Sequence, residues 1–293
     1  MKHCKAIFFD WDGTAVVSRN EDATKVLEAM ETLLCRGIPL IIISGTTYKN
    51  ICGGKLETLL SKAALQNLYL GLARGNCDYA FDENGKLYYL HDATPSIPSL
   101  LALHRTATEL HCHLLARYNL HTDIFFSRPN YCKIDLMVDH DRSETLFLQE
   151  GETDRVAAML KEHGIAGGLP DLTKMGVEFG KENGLILCAT TDAKYLELGY
   201  TTKSDNVDRF LTYFSERDIS PEDCFYWGDE FGEIAPGILG SDAQMITERS
   251  AVGKFFSVSK LSLPLPKPVQ NIGGGPEQFI AFLEHCARDG ADV

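Results

Sequence analysis

Two acids stand two residues apart where an apolar run stops: in CKAIFFDWDGTAV (residues 4–16), Asp10 and Asp12 follow the run AIFF. A carboxylate fixed at the end of a buried strand can attack phosphorus and form an acyl phosphate, splitting one difficult displacement into two. A second carboxyl one strand-to-loop step away can protonate the leaving oxygen and later activate water. Three further polar clusters sit at comparable places: Ser44, Gly45 and Thr46 after IPLIII, Lys203 at the start of a helical pattern, and Asp229, Glu230 and Glu233 in and after CFYWGDE. Oxygen ligands for a hard cation such as Mg2+, a nucleophile, and donors for phosphate oxygens are what metal-assisted phosphoryl transfer requires.

These groups can act together only if their strands lie side by side. In open parallel sheets, ligands collect beyond the carboxyl ends of the strands, where loops converge and helix amino termini point. The chain carries the matching alternation. AIFFD reads as a buried strand, and Val26, Leu27, Met30, Leu33 and Leu34 fall at helical spacing before Gly37. IPLIIIS is all apolar, as a strand buried on both faces must be. A second helix is expected through Ile51, Leu56, Leu59 and Leu60, then a strand at LYLGLA and a hairpin at YAFDENGKLYYL, with Asn84 and Gly85 in its turn.

From about residue 92 the pattern changes. SLLALHRTATELHCHLLARY is amphipathic, CKIDLMVD alternates like a half-exposed strand, TDRVAAMLKEHG is helical, and GLILCATTDAKYLELGY holds two strand-like pieces. Alternating strands imply an antiparallel sheet with helices on one face, an inserted second domain. The core pattern resumes with NVDRFLTYFSERDIS and CFYWGDE; DAQMIT and FFSVS suggest short strands, LPLPKPVQNIGGGP a loop, and PEQFIAFLEHCAR a closing helix.

Composition narrows the partners. A length of 293 residues with 44% hydrophobic content is enough for a full core, and a formal net charge of −13 without a basic stripe argues against nucleic acid and anionic membrane surfaces. No apolar stretch approaches the roughly 20 residues of a membrane span, and the first residues lack a signal peptide's apolar segment, so a cytoplasmic location is expected. Nine cysteines without a CxxC pair read as reduced packing thiols.

The motifs together resemble the haloacid dehalogenase superfamily of phosphatases. DWDGT resembles its first signature, Asp-x-Asp-x-Thr after an apolar strand; IIISGT resembles the second, a strand ending in Ser or Thr. Lys203 in TTKSDNVDRFL resembles the third, and FYWGDEFGE the fourth, Gly-Asp with a further acid four residues on. The order is the family's, and an insertion between the second and third signatures is where members with the large type 2 cap carry it. The resemblance implies an α/β fold: a Rossmann-like parallel-sheet core over residues 1–91 and 201–293, and an inserted α+β cap over 92–200.

Carried over residue by residue, the resemblance implies that Asp10 is the nucleophile and Asp12 the general acid and base. Mg2+ would be held by Asp10, the main-chain carbonyl of Asp12, and Asp229, with Glu233 in or near its outer sphere. Ser44 would hydrogen-bond the phosphoryl group and Lys203 would neutralise its charge, while Gly13, Thr14, Gly45 and Thr46 shape the phosphate loop. Arg128 and Lys133 are the cap residues whose donors suit a phosphate ester. Glu230 is either a solvated loop acid or part of the site, and Asp242 either a turn residue or a metal-proximal one. Many capped relatives have an arginine two residues after the second-signature hydroxyl where this chain has Thr46, which leaves that cation missing or supplied by the cap.

The expected activity is hydrolysis of small phosphorylated metabolites, sugar phosphates above all. A phosphomutase of the same superfamily and a non-catalytic phosphometabolite binder are the alternatives. A metal-binding Asp-x-Asp of the glycosyltransferase kind is disfavoured, because it would leave Ser44, Lys203 and Asp229 without a role.

Overall fold

The computed structural model describes residues 4–140 and 149–289. It divides into two compact units. The first comprises Met1–Ala93, Lys203–Phe231 and Asp242–Val293; the second comprises Thr94–Thr202 and Gly232–Ser241.

The first unit begins with β1 (Ala6–Phe9), every residue of which is buried. The loop after it leads to α1 (Thr24–Cys35), whose first turn is anchored where Asp22 Oδ1 accepts the N–H of Thr24 at 3.1 Å. Gly37, at φ 81°, ends this helix, and its N–H donates to Leu34 O. β2 (Leu40–Ile43) follows. The helix expected through Leu60 is broken into short turns, of which α2 (Leu56–Leu59) and α3 (Lys62–Leu65) each span a single turn. The cause is Cys52, Gly53 and Gly54, all at positive φ, which a helix cannot contain. β3 (Leu68–Leu72), β4 (Cys77–Phe81) and β5 (Leu87–Asp92) complete this half. In the hairpin turn only Gly85 takes a positive φ; Asn84 instead donates its N–H to Asp82 Oδ1.

The second unit holds α4 (Ile97–Tyr118), β6 (Asp123–Phe125), β7 (Tyr131–Asp135), α5 (Glu152–Glu162), α6 (Gly168–Glu182), β8 (Cys188–Thr191) and β9 (Tyr195–Gly199). Its strands form an antiparallel sheet in the order β6-β7-β9-β8. Cys132, Ile134, Leu196 and Leu198 point from the sheet into a cluster with Leu103, Leu110, Val156, Leu160 and Leu172 of the three helices. The opposite face carries Lys133 and Glu197, paired in register. This one-sided burial produces the alternation seen in the sequence.

The chain then returns to the first unit through α7 (Lys203–Ser215) and β10 (Cys224–Gly228). β11 (Glu233–Ala235) and β12 (Ile238–Leu239) form a small hairpin that the sequence reading put with the core. It groups with the second unit, because Ala235 packs against that unit's apolar cluster. β13 (Lys254–Ser257), β14 (Val269–Asn271) and α8 (Pro276–Asp289) close the fold. DAQMIT is a 3-10 turn over Ser241–Met245 rather than a strand, and the stretch read as a loop before α8 contains β14, an edge strand paired parallel to β13.

The first unit's sheet has the order β14-β13-β10-β1-β2-β3-β4-β5. Its first six strands run parallel, and β4 and β5 add antiparallel at one edge. Both faces are covered. Ile7 and Phe9 of β1 join a cluster with Met30 and Leu33 of α1 and Phe279 and Leu283 of α8. Ala6 and Phe8 face the other way, into a cluster with Val207, Phe210 and Phe214 of α7. A strand with two buried faces must be apolar at every position, which is why its first polar residue, Asp10, marks where the sheet gives way to the ligand edge. No helix among the described residues is long and apolar enough to cross a membrane.

Candidate active site

β1 lies between β10 and β2, so the carboxyl ends of these three strands set Asp10, Asp229 and Ser44 along one edge. The N–H of Asp10 donates to Trp227 O at 3.0 Å, which extends the β1–β10 ladder to the acid itself and fixes its backbone. The loop then folds back tightly: Ala15 and Val16 both donate to Trp11 O, and Gly13 donates to Val16 O at 2.7 Å. Gly13 sits at φ 87°, and a Cβ there would lie 2.3 Å from Asp229 Oδ2, so both conformation and space demand glycine. Thr14, fully buried, donates from Oγ1 to Asp229 Oδ1 at 3.1 Å.

Lys203, the first residue of α7, is the electrostatic centre. Its Nζ lies 2.9 Å from Asp10 Oδ1 and 2.7 Å from Asp242 Oδ1, with all three side chains almost wholly buried. Asp242 is further held by the N–H of Glu230, which donates to Oδ2 at 2.8 Å. Burial opposes the charge on Lys203, but the carboxylates of Asp10, Asp242 and Glu230 outweigh it and hold the ammonium above the ordinary lysine range. Burial also pushes the Asp10 carboxyl well up, against the pull of Lys203 and with the help of Asp242 and Asp12. Asp229 is raised the same way, by burial and then by the negative charges of Glu230, Asp242 and Asp10.

Asp10, Asp229 and Asp242 each present a carboxylate oxygen within 4.8 Å of the others. Three acids this close strain against one another unless a cation intervenes, and an oxygen-only donor set suits a hard ion such as Mg2+. Asp10 Oδ1 is held by Lys203 and Asp229 Oδ1 by Thr14, and each of the three acids offers one oxygen to an ion placed among them. Asp242 has both oxygens engaged and serves to orient Lys203. Glu233 lies in β11 of the second unit, where its Oε1 accepts the N–H of Gly237 at 2.7 Å.

Asp12 has a different partner. Its Oδ2 pairs with Arg19 Nη2 at 2.8 Å, while Oδ1 is buried without a hydrogen-bond partner. Arg19 Nη1 reaches Thr46 Oγ1 at 3.4 Å, and Thr46 also accepts from Asn50 Nδ2 at 2.7 Å. Ser44 Oγ accepts the N–H of Thr46 at 3.3 Å, and Gly45 leaves room for the Arg74 stem: a Cβ there would lie 3.2 Å from Arg74 Cγ. Asp10, Asp12, Gly13, Thr14, Ser44, Gly45, Thr46, Lys203 and Asp229 are thus all in the first unit. Arg128 and Lys133 are in the second. Arg128 is half-buried there; Lys133 is bound by Glu197 at 2.8 Å and Asp192 at 3.7 Å, and stands over the Tyr195 ring. These acids overcome burial and raise the lysine above its ordinary range, so its charge is already spent inside the unit.

Three residues were missed or left open by sequence reasoning: Arg19, Arg74 and Asp242. Arg74 carried a usable signal, since it follows β3 just as Ser44 follows β2, and the strand-end rule applies to both. Arg19 lies in a loop with no pattern to single it out.

No protein-family model matches the sequence, and no curated protein matches it. Solved structures do. An IMP-bound mutant of the Plasmodium falciparum IMP-nucleotidase superposes with a TM-score of 0.59 at 13% identity, over 99% of this chain and 68% of that one. The Synechocystis sucrose-phosphatase, solved with sucrose and phosphate, gives 0.55 at 16% identity over 97% of each chain. The Aspergillus fumigatus trehalose-6-phosphate phosphatase gives 0.53 at 15% identity over 98% of this chain and 94% of that one. All three are haloacid dehalogenase superfamily phosphatases, and this chain shares their α/β fold around a mostly parallel central sheet.

Proposed function

We propose that the protein is a Mg2+-dependent phosphomonoesterase acting on small phosphorylated metabolites through an aspartyl phosphate on Asp10. The observation that carries this reading is the buried Lys203 ammonium held 2.9 Å from Asp10 Oδ1, beside two more acids able to share a cation. Such an arrangement sets a cation against the charge of the carboxylate and leaves its other oxygen available.

In the reaction, the free oxygen of Asp10 attacks phosphorus, and the ester P–O bond breaks. The departing oxygen takes a proton from the carboxyl of Asp12. Water then attacks the acyl phosphate, giving its proton back to Asp12, and inorganic phosphate leaves with Asp10 restored. Ser44 and the loop after it hydrogen-bond the phosphoryl oxygens, and Lys203 offsets their charge. Mg2+, held by Asp10 and Asp229, would add Lewis-acid stabilisation of the same oxygens.

The substrate class rests on the neighbours, whose names attach IMP, sucrose phosphate and trehalose 6-phosphate to one fold. Sugar phosphates are the first compounds to try, with nucleoside monophosphates next. The test is phosphate release from both classes and from p-nitrophenyl phosphate, in Mg2+ or in chelator, with Asp10→Asn alongside. Metal-dependent release that Asp10→Asn abolishes is the expected result. Release that persists in Asp10→Asn, or none from any ester, overturns the reading; isomerised product without free phosphate would instead indicate a mutase.

A further inference from the structure

The turn between β3 and β4 is held in a conformation that side chains avoid: Ala73 and Arg74 have φ values of 52° and 53°, and Gly75 follows at 90°. Strain of this kind persists only where the surroundings over-determine it. On one side the turn is bound to the loop of the second signature. Ala73 N–H donates to Thr46 O at 2.9 Å and Arg74 N–H to Ser44 O at 3.4 Å, while Ser44 N–H donates to Gly71 O of β3 at 2.9 Å. On the other side the turn is bound to α7, through Asn206 and, a turn further on, through Arg209, whose Nη2 donates to Gly75 O at 2.7 Å.

Asn206 is fully buried and uses its whole amide. Oδ1 accepts the N–H of Gly75 at 2.7 Å, and Nδ2 donates to Cys77 O at 3.2 Å and to Asp78 Oδ1 at 2.6 Å. The helix comes this close to the sheet because Gly71 has no side chain: a Cβ there would lie 2.7 Å from Asn206 Cβ. Three residues earlier, on the same side of α7, stands Lys203, with its ammonium 2.9 Å from Asp10 Oδ1. The residues after Asn206 that pack α7 onto the sheet, Val207, Phe210 and Phe214, are apolar. An amide gains nothing over them from burial itself; what it adds is hydrogen bonds fixed in direction as well as distance. Ser44 and Lys203 belong to separate elements, and Asn206 ties one to the other.

We propose that Asn206 is a positioning residue for phosphoryl transfer: it locks the first turn of α7 to the β3–β4 turn and so sets the spacing between the Lys203 ammonium and the Ser44 hydroxyl. This rests on the phosphatase reading above, in which both groups act on the transferring phosphoryl oxygens. Donors at such a centre are effective when their positions are fixed before the reaction, and an error near 1 Å can cost roughly a hundredfold in rate.

The test compares wild type with Asn206→Asp, with Asn206→Ser, and with the exchange that combines Asn206→Asp and Asp78→Asn, on whichever ester wild type hydrolyses. Asn206→Asp sets a second carboxylate against Asp78, and Asn206→Ser leaves a side chain too short to reach its partners. The exchange again places a donor opposite an acceptor, with the amide now on β4. Urea unfolding identifies the folded variants. In each folded single variant kcat and kcat/KM should fall together by about tenfold or more with KM little changed, and the exchange should recover most of the loss. A residue that only supports packing would lower the unfolding midpoint and leave kcat per folded molecule at the wild-type value. That result in either single variant, or an exchange that recovers stability without kcat, overturns the proposal. Failure of both single variants to fold would assign Asn206 to the fold itself and overturn it as well. A wild type that hydrolyses no ester removes the phosphatase reading and this proposal with it, whereas a hydrolysing wild type with unaffected variants removes this proposal alone.

Discussion

Arg19 holds the carboxylate of Asp12: Nη2 lies 2.8 Å from Oδ2, and Nη1 extends 3.4 Å to Thr46 Oγ1. The pair ties the residue proposed to handle the proton to the loop proposed to hold phosphate. It leaves Asp12 Oδ1 and Arg19 Nε buried without partners, one an acceptor and one a donor. A bound ester can satisfy both, through its bridging oxygen once Asp12 carries a proton and through a substrate acceptor. Arg19→Ala should therefore lower kcat on a sugar phosphate by about tenfold, while an aryl phosphate, whose leaving group needs no proton, loses little. Steady-state kinetics on the two esters decide it; equal losses on both would place Arg19 on the phosphoryl group instead.

Removing the metal should expose the repulsion within the acid cluster. In chelator, burial raises the Asp10 and Asp229 carboxyls, so their folded state favours the protonated form. The stability they contribute is then complete below the unfolded carboxylate range near pH ~4 and is lost as pH climbs through the raised values. A cation that binds the charged forms reverses this, so the melting temperature gained from Mg2+ should grow from acid to neutral pH. At a hundredfold excess over its Kd the ion would contribute about 2.7 kcal/mol. Asp229→Asn should lose most of the gain and flatten the pH dependence in chelator. A Mg2+ response unchanged in that variant would move the metal away from this cluster.

The part of this site legible in the sequence was the part written at ends of fully buried strands. Asp10, Ser44 and Asp229 each interrupt an apolar run that both faces of the sheet enforce, so the polar residue itself reports the sheet edge. Lys203 was readable because it opens a helix at the resumption of that pattern. Asp242 was not, because it sits in a 3-10 turn where an acid ordinarily caps or solvates, and only the fold brings it within 2.7 Å of Lys203. The failed helix near residue 52 has the same origin. Apolar spacing suggested periodicity, but Gly53 and Gly54 overruled it locally. The hairpin of β11 and β12 was assigned by sequence adjacency, whereas its apolar contact through Ala235 decides which unit it joins.

Gly13→Ala tests whether the phosphate loop tolerates any change. The positive φ costs an alanine about 1–2 kcal/mol, and its Cβ would lie 2.3 Å from Asp229 Oδ2, well inside van der Waals contact. The fold can absorb this by moving the aspartate, and a displacement near 1 Å at a reacting centre can cost roughly a hundredfold in rate. The variant should fold with a modestly lowered melting temperature and lose metal affinity along with turnover. Full activity would show that Asp229 moves without consequence.

Asp78 joins β4 to α7, accepting from Asn206 Nδ2 at 2.6 Å and from the Arg209 guanidinium. Burial raises its carboxyl even against these donors, which marks the cost of keeping it inside. Truncating one partner of a buried pair strands the other, with typical losses of about 3–5 kcal/mol. Arg209 is partly exposed and can turn toward water, so Asp78→Ala should cost less, about 2–3 kcal/mol by urea unfolding. Asp78→Ala combined with Arg209→Met should cost less than the sum of the single changes, because neither charge is then left alone. Asn206 also holds Gly75, so loosening this network should release the turn that carries Arg74. Strict additivity of the two changes in stability would instead show that the charges act independently and reduce the network to packing.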